Sequence, residues 1–281
     1  MKPFRSIAPY KITVSSKDSD IVRILRSMEI NRFQGELVND LFHLGFEPWE
    51  DHQTTLWLKA VENGVVCKIK SIEKKAPSSL ISFELDSEIK KLQVGGRVVS
   101  KEERSQIRSK ITDRLSKKAL PVIRENQVIF NEKSGLFWID TINSNRQDQV
   151  VRLFKRVFPN SRITPSLVIP GLEKMQMELI TKQDSQGPKG IRLTGSSKVN
   201  FKEVGSRIGE KDELLKTLKS LGNKSCSISY LAANYENLQF RWHSDGCISH
   251  IETSSGNSQL LISLHRLTTE IQNWINNRSN K

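Results

Sequence analysis

The chain has 281 residues, 36% of them apolar and 27% charged, with a formal net charge of +13 and a pI near 9.7. That length can bury a core in one large or two modest domains. Three cysteines, Cys67, Cys226 and Cys247, are too few for a disulfide framework, so they favour a reducing compartment. The basic balance predicts affinity for polyanions and says nothing about the fold.

Targeting signals are missing from the sequence. The first residues contain no apolar segment of the kind found in signal peptides, and no stretch approaches the ~18 apolar residues of a membrane span. We therefore expect a cytoplasmic protein that has no membrane partner.

The N-terminal part predicts a strand, two helices and a hairpin. Residues 7–14 have the composition of a strand. Apolar spacing predicts helices over 20–28 and 35–44, with Gly45 ending the second. Residues 54–60 and 65–72 alternate like strands, and Asn63-Gly64 between them is a strong turn signal.

The middle of the chain predicts a helical hairpin. One helix begins near Pro77, with Ile81, Leu85, Ile89 and Leu92 as its apolar stripe, and Gly95-Gly96 ends it. Ser100 and Glu103 form a capping-box pattern that opens a second helix, which ends before Pro121. Its apolar stripe is Ile107, Ile111 and Leu115.

The rest of the chain predicts further hairpins and helices. We expect a hairpin over 127–131 and 136–141, helices over 147–158 and 210–221, and a meander over 226–251. The prolines of residues 160–200 indicate short strands and loops there. A final helix over 257–275 carries one apolar stripe, Leu260, Leu264, Leu267, Ile271 and Trp274. Strand pairs and helices alternate without βαβ regularity, so the predicted fold class is α+β.

The segment from Lys68 to Arg124 holds 15 Lys/Arg against 7 Asp/Glu, and so carries +8 of the net charge. Its cations lie between regularly spaced apolar residues, which indicates a folded positive surface for double-stranded DNA. The alternative is an ordinary solvated helix face. The candidate DNA contacts are Lys68, Lys70, Lys101, Arg104, Arg108, Arg114, Lys117 and Lys118.

Catalytic and metal signatures are weak. His243, Cys247 and His250 have the spacing of metal ligands but lack a fourth, so we expect no metal and no catalytic residue.

A metal-dependent nuclease would need clustered carboxylates, for which Asp140 and Glu88 are the only leads. No Gly-rich phosphate loop is present, and no cofactor is expected. Nuclease activity, or a basic module that binds an acidic protein, remain alternatives to DNA binding.

Several segments, in order and spacing, resemble the bacterial recombination-associated RdgC family. They include the start of the chain (4–12), the turn Leu44-Gly45-Phe46-Glu47-Pro48-Trp49, and the Asn63-Gly64 hairpin followed by Glu73-Lys74-Lys75-Ala76-Pro77. Leu120-Pro121, Trp138-Ile139-Asp140-Thr141 and the helix 269–275 continue the likeness. The resemblance covers nearly the whole chain.

The resemblance implies a non-catalytic, ring-shaped homodimer that encircles duplex DNA, associates with the nucleoid and restrains RecA-dependent recombination, indirectly through DNA. It also implies a dimer interface near the end of the basic hairpin, at Leu120, Val122, Ile123 and Arg124. The family's aromatic finger aligns near Arg124, which is a departure. A second dimer contact of the family, a Lys-Gln pair at the closure of the ring, maps to Lys211, where the Gln is absent. Lys211 is therefore a further candidate both for the dimer interface and for DNA contact. We expect a single unit over 1–281, divided into an N-terminal part (1–75), the basic hairpin (76–124) and a C-terminal part (125–281).

Overall fold

The computed structural model describes residues 4–35, 41–51, 54–61, 64–94, 96–131, 133–167, 172–181, 188–201, 205–221, 226–253 and 257–279. These residues form a mixed α+β fold with seven α-helices and a large antiparallel sheet, which confirms the predicted fold class. Among the helices described, none combines the length and the apolar character that crossing a membrane requires.

The order of elements interleaves strands and helices. The helices are α1 (Ile21–Ile30), α2 (Ser78–Gln93), α3 (Lys101–Lys118), α4 (Ser144–Val157), α5 (Leu172–Thr181), α6 (Lys211–Leu221) and α7 (Asn257–Ser279). The strands are β1 (Ser6–Thr13), β2 (Phe42–Glu47), β3 (Trp49–Asp51), β4 (Thr54–Leu56), β5 (Lys59–Val61), β6 (Gly64–Lys74), β7 (Pro121–Asn131), β8 (Leu136–Ile139), β9 (Arg162–Pro165), β10 (Ile191–Leu193), β11 (Ser197–Phe201), β12 (Gly205–Gly209), β13 (Cys226–Tyr235), β14 (Leu238–His243) and β15 (Ile248–Thr253).

The chain divides into two compact units. The large unit comprises Met1–Met28, Pro48–Lys68 and Asn126–Lys281, and the small unit comprises Glu29–Glu47 and Ile69–Glu125. Strands β6 and β7 each contribute residues to both units. The small unit contains the whole basic helical pair, α2 and α3.

The sheet of the large unit has its N-terminal strand in the middle. Its strands follow the order β12-β11-β13-β14-β15-β1-β8-β7, each antiparallel to its neighbour. The first residues of β1 pair with β15, as in Ser6 with Ser249, and the later ones with β8, as in Ala8 with Ile139. The predicted meander over 226–251 is confirmed as β13, β14 and β15.

The C-terminal helix supplies much of the core of the large unit. All five residues of its predicted stripe are buried, namely Leu260, Leu264, Leu267, Ile271 and Trp274. They belong to one cluster with the buried face of the sheet, where the rings of Trp242 and Trp274 meet edge to face with centroids 5.9 Å apart. Burying each such aliphatic side chain stabilises the fold by roughly 1.5–3 kcal/mol. The prediction for α7 is therefore confirmed in position and in buried face.

The small unit is built around the two predicted helices. Ile81 and Leu85 of α2 are buried against Ile111 of α3, with Ala76 completing the cluster. The partly buried Ile89, Ile107 and Leu115 pack around them. Both apolar stripes predicted from the sequence face each other, so the helical hairpin is confirmed.

Two predictions in the first half of the chain need correction. The helix over 35–44 is wrong where it can be judged: residues 36–40 lie outside the described residues, and Phe42, His43 and Leu44 belong to β2. Gly45 does not end a helix but lies in that strand, where a Cβ atom would come 2.4 Å from the backbone nitrogen of Phe33. The strand expected over 54–60 is two short strands, β4 and β5.

One helix was not predicted at all. Helix α5 lies within the segment 160–200, for which short strands and loops were expected. It buries Leu172, Gln176 and Ile180 at a helical spacing. Because prolines occur on both sides of this ten-residue helix in the sequence, the pattern predicted loops instead.

Candidate nucleic-acid interface

Helix α3 is anchored at its start by the predicted capping box. The Glu103 backbone N–H donates to Ser100 Oγ at 3.1 Å, and the Ser100 N–H donates to Glu103 Oε2 at 3.1 Å. The N–H of Ser100, together with the guanidinium of Arg97, holds the pKa of Glu103 below its usual range. Both bonds satisfy donors that a helix start otherwise leaves open, so the basic helix begins at a fixed place.

The other end of α3 is also fixed. Ser116 is buried, and its Oγ accepts a hydrogen bond from the Ala76 backbone N–H at 3.4 Å. This bond ties the last turn of α3 to the segment that leads into α2. The cations of α3 are thus carried by a helix that is held at both ends and along its apolar stripe.

Some of the predicted DNA contacts already have carboxylate partners on α2. Arg114 bonds Glu84, and Arg104 lies 3.7 Å from Asp86. Lys91 of α2 pairs with Glu88 at 2.9 Å within its own helix. Exposed pairs of this kind are worth about 0–1 kcal/mol. A phosphate can therefore compete with these carboxylates for the two arginines.

The remaining cations of α3 have no such partner in the part of the chain that the structure describes. Among the described residues, none offers a carboxylate at ion-pair distance to Lys101, Arg108, Lys110, Lys117 or Lys118. All five side chains are exposed. They are the part of the predicted surface that is available to an anion without breaking an ion pair.

The cations of α3 lie on two flanks. A helix turns 100° per residue, so Lys101 and Arg108 fall on one side of the apolar stripe, and Lys110, Arg114 and Lys117 on the other. Arg104 and Lys118 lie in line with the stripe, one at each end of it. Between the two flanks, opposite the stripe, lies an exposed row without cations: Glu102, Gln106, Ser109 and Asp113. The sequence suggested one basic surface, whereas the helix carries two basic edges.

Lys68 and Lys70 lie in different units, although both are in β6. In the small unit, Lys70 pairs with Glu47 at 3.2 Å and lies over the Phe33 ring. In the large unit, Lys68 lies over the indole of Trp49, with Nζ 4.8 Å from the ring centroid. Lys59, which no pattern in the sequence singled out, lies over the same indole at 5.7 Å.

The residues assigned to the dimer interface are exposed at the start of β7. The exposed fractions of Leu120, Val122 and Ile123 are 85%, 47% and 55%, and Arg124 is exposed as well. Lys211 belongs to the large unit, where it is the first residue of α6 and lines a pocket of about 330 Å³ with Glu210 and Asp212. Lys211 thus belongs to a different unit from the other four residues.

The residues considered for metal or nuclease chemistry have other partners. His243 Nε2 and His250 Nδ1 both bond Ser249 Oγ, at 2.6 and 3.1 Å, and Arg241 bonds His250 Nε2 at 3.0 Å. Cys247 is buried and its Sγ accepts from Gln147 at 3.3 Å. In the part of the chain that the structure describes, no three His, Cys, Asp or Glu side chains are grouped as metal ligands. Burial raises the pKa of the Cys247 thiol to about 12, so it is not poised as a nucleophile.

The comparison with models of protein families identifies a family for this chain. The family model described as "Putative exonuclease, RdgC" matches residues 3–184 of the 281. That range includes all of α2, α3 and the exposed start of β7, but not Lys211. The search of curated proteins found no match.

Proposed function

The chain belongs to the RdgC family of recombination-associated proteins, and from this premise we propose that it binds duplex DNA without sequence preference, as a non-catalytic homodimer that encircles the DNA and restrains RecA. The observation that carries the proposal is the pair of cation rows on α3. Five of those cations are exposed and have no described carboxylate partner. Phosphate neutralisation by Lys and Arg supplies most of the affinity of proteins that bind DNA without reading its sequence.

The proposed lack of base reading rests on where the charges lie on α3. The two edges of α3 present ammonium and guanidinium groups, while the row between them presents Glu102, Gln106, Ser109 and Asp113. Carboxylates on that row would repel a phosphate backbone placed directly over it. The proposed contact is therefore with phosphates beside the helix, along one edge or both, and not with base edges beneath it.

The mechanism is tested by duplex binding over a salt series. If a dimer neutralises ~8 phosphates, the slope of log K against log [salt] is near −7, at about −0.9 per contact. We expect duplexes of different sequence to bind alike. A slope shallower than about −2, or strong preference for one sequence, would rule out this mechanism.

The two edges of α3 provide a matched pair of variants. Lys101→Ala/Arg108→Ala and Lys110→Ala/Lys117→Ala each remove two charges, one pair per edge. For an edge that faces DNA, the slope should flatten by about 0.9 for each phosphate that the variant chain no longer neutralises. As a control of equal charge, Lys17→Ala/Lys133→Ala removes two exposed lysines outside α3. If both edge variants behave like this control, α3 does not face the DNA.

Encirclement is tested by comparing circular with linear duplex of the same length. A closed dimer should remain on circular DNA through a salt wash and leave linear DNA by its ends. Equal loss from both would keep DNA binding and reject the ring.

Sedimentation of the protein alone tests the homodimer. If the exposed residues Leu120 and Ile123 form the interface, Leu120→Asp/Ile123→Asp should shift the protein to a monomer.

A nuclease is the second candidate, because the matching family model is described as an exonuclease. The leads are Asp140 and Glu88, although Glu88 pairs with Lys91. Incubating linear and supercoiled duplex with the protein and magnesium tests this function. Degradation that Asp140→Asn or Glu88→Gln abolishes would establish the nuclease, whereas intact DNA at saturating protein supports the non-catalytic proposal.

A further inference from the structure

Two lysines of the large unit converge on one indole. Trp49 lies in β3, Lys59 in β5 and Lys68 in β6. In the antiparallel pair of β5 and β6, Lys59 is opposite Val66. Lys68, two residues further along β6, is therefore a diagonal neighbour on the same face. Their Nζ atoms lie 5.7 and 4.8 Å from the centroid of the Trp49 ring.

The indole is held in place by packing. Trp49 is partly buried and packs against the main hydrophobic cluster of the large unit, whose members include Val66. Its Nε1 is buried and has no hydrogen-bond partner among the residues that the structure describes. The ring is thus a fixed platform, and the two ammonium groups are gathered over it by cation–π attraction.

The two charged groups that the structure places over this ring are both positive. Within the described residues, neither Lys59 nor Lys68 has a carboxylate at ion-pair distance. Glu50 follows Trp49 in β3, and alternation along a strand points its side chain to the opposite face. Two like charges that share one aromatic ring repel each other, and an anion between or beside them removes that repulsion.

We propose that Lys59 and Lys68, held over Trp49, form a phosphate-binding site that contacts the DNA backbone. Two ammonium groups offer up to six N–H donors to phosphate oxygens, which suits an anion with several acceptors better than a single carboxylate. The choice of DNA as the source of the phosphate rests on the proposed function. The site lies in a different unit from α3, so it adds a contact region to the one already described.

The indole also provides the readout. A phosphate that draws the ammonium groups away from the ring changes the surroundings of Trp49, and with them its fluorescence. The contribution of Trp49 is isolated by subtracting the response of Trp49→Phe from that of the natural chain. We expect duplex DNA to produce this difference signal, and Lys59→Ala/Lys68→Ala to abolish it.

Binding of the full chain to duplex gives an independent readout. Lys59→Ala/Lys68→Ala should flatten the salt slope by about 1.8 per chain, from about 0.9 for each contact. Lys59→Arg/Lys68→Arg keeps both charges and should retain most of the slope. The control Lys17→Ala/Lys133→Ala should leave slope and fluorescence unchanged. If the Lys59/Lys68 variants unfold at the same temperature as the natural chain, misfolding is excluded as the cause. A variant that unfolds at a lower temperature is replaced by Lys59→Gln/Lys68→Gln.

The outcomes separate this inference from the proposed function. If the natural chain binds duplex and the Lys59/Lys68 variant keeps its slope, the site is refuted and the DNA-binding proposal stands. If the natural chain binds no duplex, the DNA-binding proposal fails, and titration with inorganic phosphate decides the site. A Trp49 signal with phosphate that requires both lysines would assign the site to free phosphate, and no signal would overturn it.

Discussion

The α2–α3 pair and the sheet that packs on α7 differ in what they bury and what they expose. The helical pair is held by a small cluster around Ile81, Leu85 and Ile111. The small unit exposes most of the side-chain surface of Phe83, Val94, Val98 and Leu120. The sheet and α7 share one large cluster in which Trp242, Leu264 and Ile271 are inaccessible to solvent. The cations of α3 are exposed, whereas one carboxylate of the large unit, Asp18, is buried. The α2–α3 pair therefore presents charged side chains at the surface, and the sheet with α7 forms the main hydrophobic core.

The largest contrast is expected from one substitution made in each region. Phe137 is fully buried, and its ring meets Phe154 edge to face with centroids 4.7 Å apart, whereas Phe83 is 73% exposed. Phe137→Ala should lower the free energy of unfolding by about 3–5 kcal/mol, because it leaves a cavity in a packed core. Phe83→Ala should change it by no more than about 0.5 kcal/mol. Denaturant unfolding of both variants measures the difference, and a large cost at Phe83 would mean that a second copy covers it.

A buried carboxylate in the large unit should have the next largest effect. Asp18 accepts hydrogen bonds from the Asn160 N–H at 2.8 Å, from its side-chain amide at 2.9 Å, and from Ser161 Oγ at 2.7 Å. Burial alone would raise the pKa of Asp18, but the bonds from Asn160 and Ser161, with the nearby Arg23, outweigh it and lower that pKa. Asp18→Ala should cost roughly 2 kcal/mol, because it leaves these donors unpaired.

The pH dependence of stability tests the same residue. Because the folded pKa of Asp18 is below its unfolded value near 3.8, its contribution is fully present above that pH. It is lost as the pH falls through the folded pKa. Asp18→Asn should therefore flatten the decline of stability in this acid range. An unchanged acid profile would show that folding does not shift the pKa of Asp18.

Much of both regions could be predicted from local sequence patterns. The stripe of α7 and the facing stripes of α2 and α3 follow from the spacing of apolar residues, and the start of α3 from Ser100 and Glu103. The two basic edges of α3 were also within reach, since they need only a rotation of 100° per residue. These features depend on residues that are close together in the chain.

The errors fall where distant residues decide the structure. Phe42–Glu47 forms a strand because it pairs with β6 in the sheet. The backbone of Phe46 also bonds Asn31 and Phe33, and Gly45 allows the close approach to Phe33 that any side chain would block. The site over Trp49 needs the pairings of β3 with β4 and of β5 with β6, which no spacing along the chain reveals. For the same reason, the sequence identified Lys68 as a cation but not Lys59 as its neighbour.

The cap of α3 should have a moderate effect, confined to the helical pair. Ser100→Ala removes the acceptor of the Glu103 N–H and should cost about 1 kcal/mol. Because the first turn then frays, amide hydrogen exchange should accelerate there more than in α7. Ser105→Ala, at an exposed position inside the same helix, is the matched control and should be neutral or slightly stabilising. Equal effects of the two substitutions would mean that the cap does not hold the helix start.

The smallest effect is expected from the ion pairs that join α2 and α3. A double-mutant cycle with Arg114→Ala and Glu84→Ala should give a coupling energy of about 0.2–1 kcal/mol, and salt should reduce it. Arg104 and Asp86 form the control pair, which is longer, at 3.7 Å, and more exposed, so its coupling should be smaller still. A coupling energy above about 2 kcal/mol would match the cost expected for Asp18→Ala. Arg114 would then have a structural role. Weak coupling leaves its guanidinium able to exchange Glu84 for a phosphate at little cost, as the proposed DNA contact requires.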